Sequence, residues 1–494
     1  MGAVMFRQFQ SGGGQFQPPD QAAAPRPYHE LYDETQAPRA HYAAMWEHIE
    51  RTGRSLLDAK TREAHLALQT EGVTFTVYSD RDSGIERVWP FDILPRIIPA
   101  AEWATLEAGL KQRVRALNLF LNDIYHHQRI LKDGVLPPEL IYGSKDFRCE
   151  IMDIHPPHDI YTHISGVDLI RDEAGRYLVL EDNLRTPSGV SYMIENRIVE
   201  RRVLPELFTC YRVRRVEHYP ARLLAALRHL SPRDEEGATI VLLTPGIYNA
   251  AYYEHSFLAR EMGVELAEGR DLVCKNDRVF LKTTHGLRQV DVIYRRIDDD
   301  YLDPEVFRSD SVLGVPGLIR AWRAGHVALV NAPGNGIADD KAVYAYVPEM
   351  IRYYLGESPI LASVPTYQMT DPQDRAYVLD NLAKMVVKAV AQSGGHGMLM
   401  GPSSTAAQRD EMARLILDDP RGYIAQPVVQ LSHHLCYLDG ELGSRHLDLR
   451  PFVIYGREIE VVPGGLTRVA MGEGSLVVNS SQGGGSKDTW ILAD

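Results

Sequence analysis

The sequence predicts a mixed α/β fold, and three patterns carry that expectation. Residues 238–335 alternate short apolar strands with helix-like runs, the pattern of a small parallel sheet. Residues 166–189 read as two paired strands around a polar, glycine-bearing turn. From Tyr28 to about Leu131 the apolar residues fall mainly at helical spacing of three and four.

In chain order, residues 1–28 are rich in Gly, Gln, Pro and Ala and read as a tail. Residues 29–149 form a helical lead-in expected to pack on the core. Helices are predicted over Met45–Leu68 and Ala101–Leu131, with Thr74–Tyr78 alternating as a strand between them. Residues 150–215 hold the hairpin. Asp168 stands in its first strand, and Tyr177–Leu180 runs straight into Glu181, Asp182 and Asn183. Side chains alternate across a strand, so Glu181 and Asn183 share a face while Asp182 takes the other. Residues 216–340 form the α/β unit, with strands at Ile240–Pro245, Val264–Leu266, Val290–Tyr294 and His326–Asn331. The remainder divides into 341–430 and 431–494.

Pairing of the hairpin would bring Asp168 opposite Glu181 and Asn183. Three hard oxygens suit Mg²⁺, which takes its other ligands from water and substrate phosphates. Taken alone, the three residues equally suit an ordinary acidic surface turn. The C-terminal third adds a second cluster. Met385–Val390 is an apolar strand interrupted by Lys388, and Gly394, Gly395 and Gly397 follow it. Backbone N–H groups of such a loop can approach a phosphate closely, although many similar loops are plain turns. Lys341 offers a second cation ahead of a helix-like run from Tyr344 to Leu355. Gln426, Pro427 and Val428 lie in a strand where proline leaves backbone groups open to a purine edge, or simply marks a sheet edge. Arg450, in an apolar strand, requires an anionic partner. Asn479 and Gly483–Gly485 close the chain.

Composition narrows the functions. A formal net charge of −13 over 494 residues argues against a nucleic-acid partner, and no stretch is apolar enough to span a membrane. No secretory signal is evident, and four scattered cysteines without paired spacing suit a reducing compartment, so the cytoplasm is expected. The oligomeric state is not legible in the sequence.

Taken together, the pieces resemble the ATP-grasp superfamily in a rearranged order. The α/β unit, Lys341, Lys388, the glycine loop, the hinge at 426–428, Arg450 and Asn479 keep the usual sequence. The Asp168…Glu181-x-Asn183 hairpin comes before all of them instead of last. That order, with the wording EDNLRTPSG, DLRPFV, PGGLTRVA and GGGSKDTW, resembles the circularly permuted ATP-grasp family, related to glutathionylspermidine synthetase-like ligases. The resemblance implies a permuted ATP-grasp fold with a Rossmann-like domain before it. It implies ATP and Mg²⁺ as cofactors, with Asp168, Glu181 and Asn183 as metal ligands. Lys341, Lys388, Gly394, Gly395, Gly397 and Asn479 would bind ATP, and Gln426, Pro427 and Val428 its adenine. Arg450 would neutralise charge at the transferred phosphoryl group.

The implied reaction joins a small-molecule or peptide carboxylate to an amine through an acylphosphate. A phosphotransferase and a non-catalytic ATP-binding protein are the alternatives. Relatives carry an arginine two residues before the first metal aspartate, where this chain has Gly166. Arg185 is the nearest substitute, with Arg148 and Arg468 behind it. Tyr248, Asn249, Glu254, Arg295 and Arg296 are candidates for substrate binding, because ligands gather at the carboxyl ends of parallel strands. His155, His158 and His163 lack ligand spacing, and Trp103, Trp322 and Trp490 read as packing residues.

Overall fold

A computed structural model describes residues 27–79, 82–390, 397–479 and 483–494. Most of the tail at 1–28 therefore lies outside the described residues, as do Gly394 and Gly395.

The hairpin forms as expected, from strands Ile164–Arg171 and Tyr177–Asn183. Asp168 pairs with Glu181 and Gly166 with Asn183, with an irregularity in register just after Asp168. The hairpin is the middle of a five-stranded sheet, and what flanks it explains the order of the chain. On one side lies Ala362–Ser363; on the other lie Phe452–Tyr455 and Ile459–Val461. Gly166 faces Phe452 across the antiparallel pair. A segment from the first half of the chain thus zips to strands almost 300 residues later, which joins the two ends of a permuted fold into one sheet.

Two other sheets complete the cavity's surroundings. Ala328–Val330, Val292–Arg295, Ile240–Leu243 and Glu265–Ala267 make a parallel four-stranded sheet in that order, the expected α/β unit. Its strands are apolar and fully buried at the centre, as a parallel sheet covered on both faces requires. An antiparallel sheet is built from Tyr367–Gln368, Tyr423–Pro427, Met385–Ala389 and Leu399–Met400. It stands on its own small core of Met369, Val378, Val387, Ile416 and Ala425.

The lead-in is less helical than its periodicity suggests. Helices Ala43–Thr70 and Ala100–Tyr125 are present, the first kinked at Gly53, where φ is 73°. Between them Phe91–Ile98 is a strand, paired in parallel with the last strand, Gly485–Ile491. Pro95 hides it in the sequence. The register shifts at that point, which lets a residue without an N–H sit inside a paired strand. The pairing buries Lys487, whose ammonium lies 2.6 Å from Asp92 and donates to the carbonyls of Leu94 and Leu435. Trp103, Trp322 and Trp490 are all buried. Among the described residues no helix is long and apolar enough to cross a membrane.

Candidate nucleotide site

One cavity lies between the hairpin and the antiparallel sheet. Asp168, Glu181, Lys341, Lys388, Gln426, Pro427, Val428 and Asn479 all line it, although they come from segments more than 300 residues apart. Each reaches it for a local reason. Strand alternation sends Glu181 toward the cavity and Asp182 away from it. Asp182 meets Arg113 of the lead-in helix through two hydrogen bonds of 2.7 Å, with both side chains buried. Removing one partner of such a pair strands the other charge, at a cost of about 3–5 kcal/mol. Asp182→Asn is therefore expected to lower stability by that amount in chemical denaturation, while Glu181→Gln leaves it nearly unchanged.

Lys388 is held by the strand pairing that sets it beside Ile424, and its Nζ donates to Gln426 Oε1 at 2.8 Å. Gln426 in turn donates to Thr366 Oγ1 at 2.9 Å. Burial lowers the Lys388 pKa and neighbouring Lys341 adds to the effect, while Glu181 and Asp168 oppose it. Lys341 begins a short helix whose first N–H groups are capped by the Asp340 carboxylate. Pro427 ends its strand, and Val428, Val429 and Leu431 continue the cavity wall. Apolar walls above and below this edge come from Ile170, Leu180, Met398 and Met400. Gly397 takes a φ of +66°, a left-handed conformation that glycine adopts without strain.

The acid end of the cavity contains a group the sequence did not single out. Arg450 binds Asp168 through Nε at 2.5 Å and Nη2 at 2.8 Å, and Arg468 reaches the same carboxylate at 2.7 Å. Arg468 also donates through Nε to both oxygens of Asp448, at 3.0 and 3.1 Å. Burial alone would raise the Asp168 pKa, but the two guanidinium groups outweigh it and hold the carboxyl well below its usual range. Asp448 goes the other way: burial raises it despite Arg468. Arg450 stands just outside its expected strand, bridged to Leu466.

Gly166 now has a physical explanation. A Cβ at that position would lie 3.2 Å from Arg450 Cδ and 3.2 Å from Pro187 Cβ. The stem of Arg450 fills the space that a side chain at 166 would occupy. Arg185, in contrast, lies off the cavity wall. Its guanidinium sits 3.5 Å from Asp146 and 3.8 Å from both Asp298 and Asp339. Asp339 accepts the backbone N–H groups of Leu184 and Arg185. Burial pushes its pKa up to about 7 against the pull of Arg185. The unfolded chain gives up that proton near pH 4 and the folded chain near pH 7, so stability falls as pH rises across that window. Asp339→Asn is expected to flatten this slope, read as Tm against pH from 4 to 8.

The substrate candidates are scattered. Tyr248 is 91% exposed. Asn249 caps the backbone of Ala251. Glu254 is fully buried and accepts from the N–H groups of Gly189 and Ser191, while Arg296 pairs with it and holds Pro187 and Ser188. Arg295 gives its donors to the carbonyls of Asn331 and Ile297 and pairs with Asp299. Glu254, Arg295 and Arg296 thus brace the loop leaving the hairpin and the end of the parallel sheet. None of the five lines the cavity, and none is carried forward as a substrate contact. Arg148 pairs with Asp300 at 2.5 Å, also off the cavity wall. The three histidines do not converge: His163 bonds the Tyr455 carbonyl, His155 meets Asp159 and His158 stacks on His229. Among the described residues no group of three or more His, Cys, Asp or Glu side chains is arranged to hold a metal. One observation does fit a cation at the hairpin: the Asn183 amide has a buried atom without a partner, on the face it shares with Glu181.

Comparison with known proteins agrees with this architecture. Residues 95–470 match the family model for circularly permuted ATP-grasp type 2 proteins. An uncharacterized protein of Synechocystis sp. is 53% identical over 466 residues, covering 94% of this chain and 97% of its own. One from Mycobacterium tuberculosis is 50% identical, covering 94% and 84%. A Frankia alni protein, provisionally named a glutamate–cysteine ligase, is 45% identical; the match spans 94% of this chain but 54% of that protein. Among solved structures, a glutathione synthetase-like effector from Globodera pallida superposes with a TM-score of 0.59 at 11% identity, over 89% of this chain and 98% of its own, a likeness of fold. With its hairpin moved to the front and zipped to its last strands, the chain belongs to the circularly permuted ATP-grasp type 2 family.

Proposed function

We propose that the protein is an ATP-dependent ligase that joins a carboxylate to an amine through an acylphosphate. The observation that carries this reading is the convergence of Lys341, Lys388, Gln426, Glu181 and an arginine-bracketed Asp168 in one cavity. The name of the Frankia relative accords with it, although that name belongs to a protein about half of which lies beyond the match.

The adenine would lie along Gln426–Val428, between Ile170 and Leu180 on one side and Met398 and Met400 on the other. Lys388 and Lys341 would meet the phosphates, with the glycine loop at 394–397 over them. Glu181, Asn183 and Asp168 would hold Mg²⁺, which supplies charge neutralisation at the phosphates when bound. A substrate carboxylate oxygen attacks the terminal phosphorus, and the bond to the ADP oxygen breaks. The amine nitrogen then attacks the acyl carbon and phosphate leaves, with one proton lost from nitrogen. Both steps gather negative charge beside Arg450, which is held in place before the reaction begins. Arg450 takes the acyl-contacting role that relatives give to an arginine at the position of Gly166, in preference to Arg185. No covalent nucleophile is required.

Incubation with ATP and pooled amino acids tests the reading. ADP and free phosphate appearing only when both an acid and an amine are present supports ligation; phosphate retained on a stable product would instead make the protein a phosphotransferase.

A further inference from the structure

Asp168, Asp448, Arg450 and Arg468 form a closed quartet in the cavity wall, two acids against two guanidinium groups. Asp168 accepts three hydrogen bonds, two from Arg450 and one from Arg468. Arg468 is divided between Asp168 and Asp448. All but Arg450 are at least nine-tenths buried. The quartet has no net charge, so it attracts neither a phosphate nor a divalent cation strongly. Its arginines are engaged by acids, and Asp168 is engaged by arginines.

We propose that this quartet is an exchange device: guanidinium groups parked on Asp168 pass to the nucleotide phosphates as Asp168 is released to the divalent cation, and Asp448 sets how firmly Arg468 is parked. The proposal rests on the nucleotide reading above and adds Arg468 and Asp448 to it, Arg468 as a phosphate contact and Asp448 as a positioning residue. Opening the quartet for one ligand lowers the cost of binding the other, so phosphate and cation bind cooperatively. Asp448 competes with Asp168 for Arg468. Removing its charge leaves Arg468 to Asp168 alone, which hinders the cation but not the phosphate.

The experiment is calorimetric titration of the full-length protein with ATP across a series of Mg²⁺ concentrations, and with ATP in EDTA. Asp448→Asn is expected to raise the Mg²⁺ midpoint about tenfold, roughly one charge-assisted hydrogen bond, while affinity for metal-free ATP holds or improves. Arg468→Lys cannot bridge both acids, so it should move the midpoint the other way and weaken metal-free ATP; it also serves if Asp448→Asn fails to fold. Parallel changes with and without Mg²⁺, as a packing defect would give, or an unmoved midpoint in the folded variant, overturn the exchange. Adenosine needs none of the four residues and should bind every variant alike. A wild-type protein that binds adenosine and ATP alike, at any Mg²⁺ concentration, overturns the exchange and leaves the adenine pocket standing. One that binds no nucleotide at all overturns both.

Discussion

Lys388→Met is expected to remove nucleotide binding while leaving the unliganded fold at least as stable as before. Lys388 is buried in an apolar strand with a neutral amide as its hydrogen-bond partner. Burial lowers its pKa, which means the folded chain holds the charged form at a cost. Methionine fills a similar volume and removes that cost. In the ligand complex the same ammonium would meet phosphate oxygens in a partly dry cavity, an interaction of about 1.5–3 kcal/mol or more. ATP affinity should therefore fall by about ten- to more than a hundredfold. Thermal unfolding gives both results together: an equal or higher Tm without ligand, and loss of the upward shift with Mg-ATP. A large fall in Tm without ligand would mean that Lys388 serves the fold instead.

Arg450→Lys should produce the largest loss of turnover. The guanidinium makes a two-pronged contact with Asp168 and donates to the Ser188 carbonyl from its third nitrogen. Lysine keeps the charge but cannot reproduce that fork. A misplaced cation costs about 10²–10³-fold in rate where charge develops. ATP affinity should change by less than about tenfold, because Lys341 and Lys388 remain. A variant with normal turnover would show that Gly166 has lost its arginine without replacement.

Much of this site could be read from the sequence because its parts are local. The hairpin announces itself through a turn and an alternation, and Lys388 through a charge inside an apolar strand. Arg468 and Asp448 were not legible in the same way. Their significance lies in Asp168, about 300 and 280 residues away, and no local pattern encodes that meeting. The same distance misled in the other direction. Glu254 and Arg296 looked free to bind substrate because their partners, at 187–191, lie far off in sequence. Arg185 looked like a substitute for the residue missing at 166. The space itself was already filled by Arg450 from the neighbouring strand. Phe91–Ile98 escaped notice because a proline breaks its pattern while an irregular register preserves its pairing.

The acylphosphate pathway has a direct isotopic test. With ATP and a pool of ¹⁸O-carboxylate amino acids, one labelled oxygen should pass from the acid to phosphorus for every amide formed. Mass spectrometry of the released phosphate is expected to show one ¹⁸O per ADP produced. ADP accompanied by unlabelled phosphate, or by phosphate retained on the product, would contradict ligation through an acylphosphate.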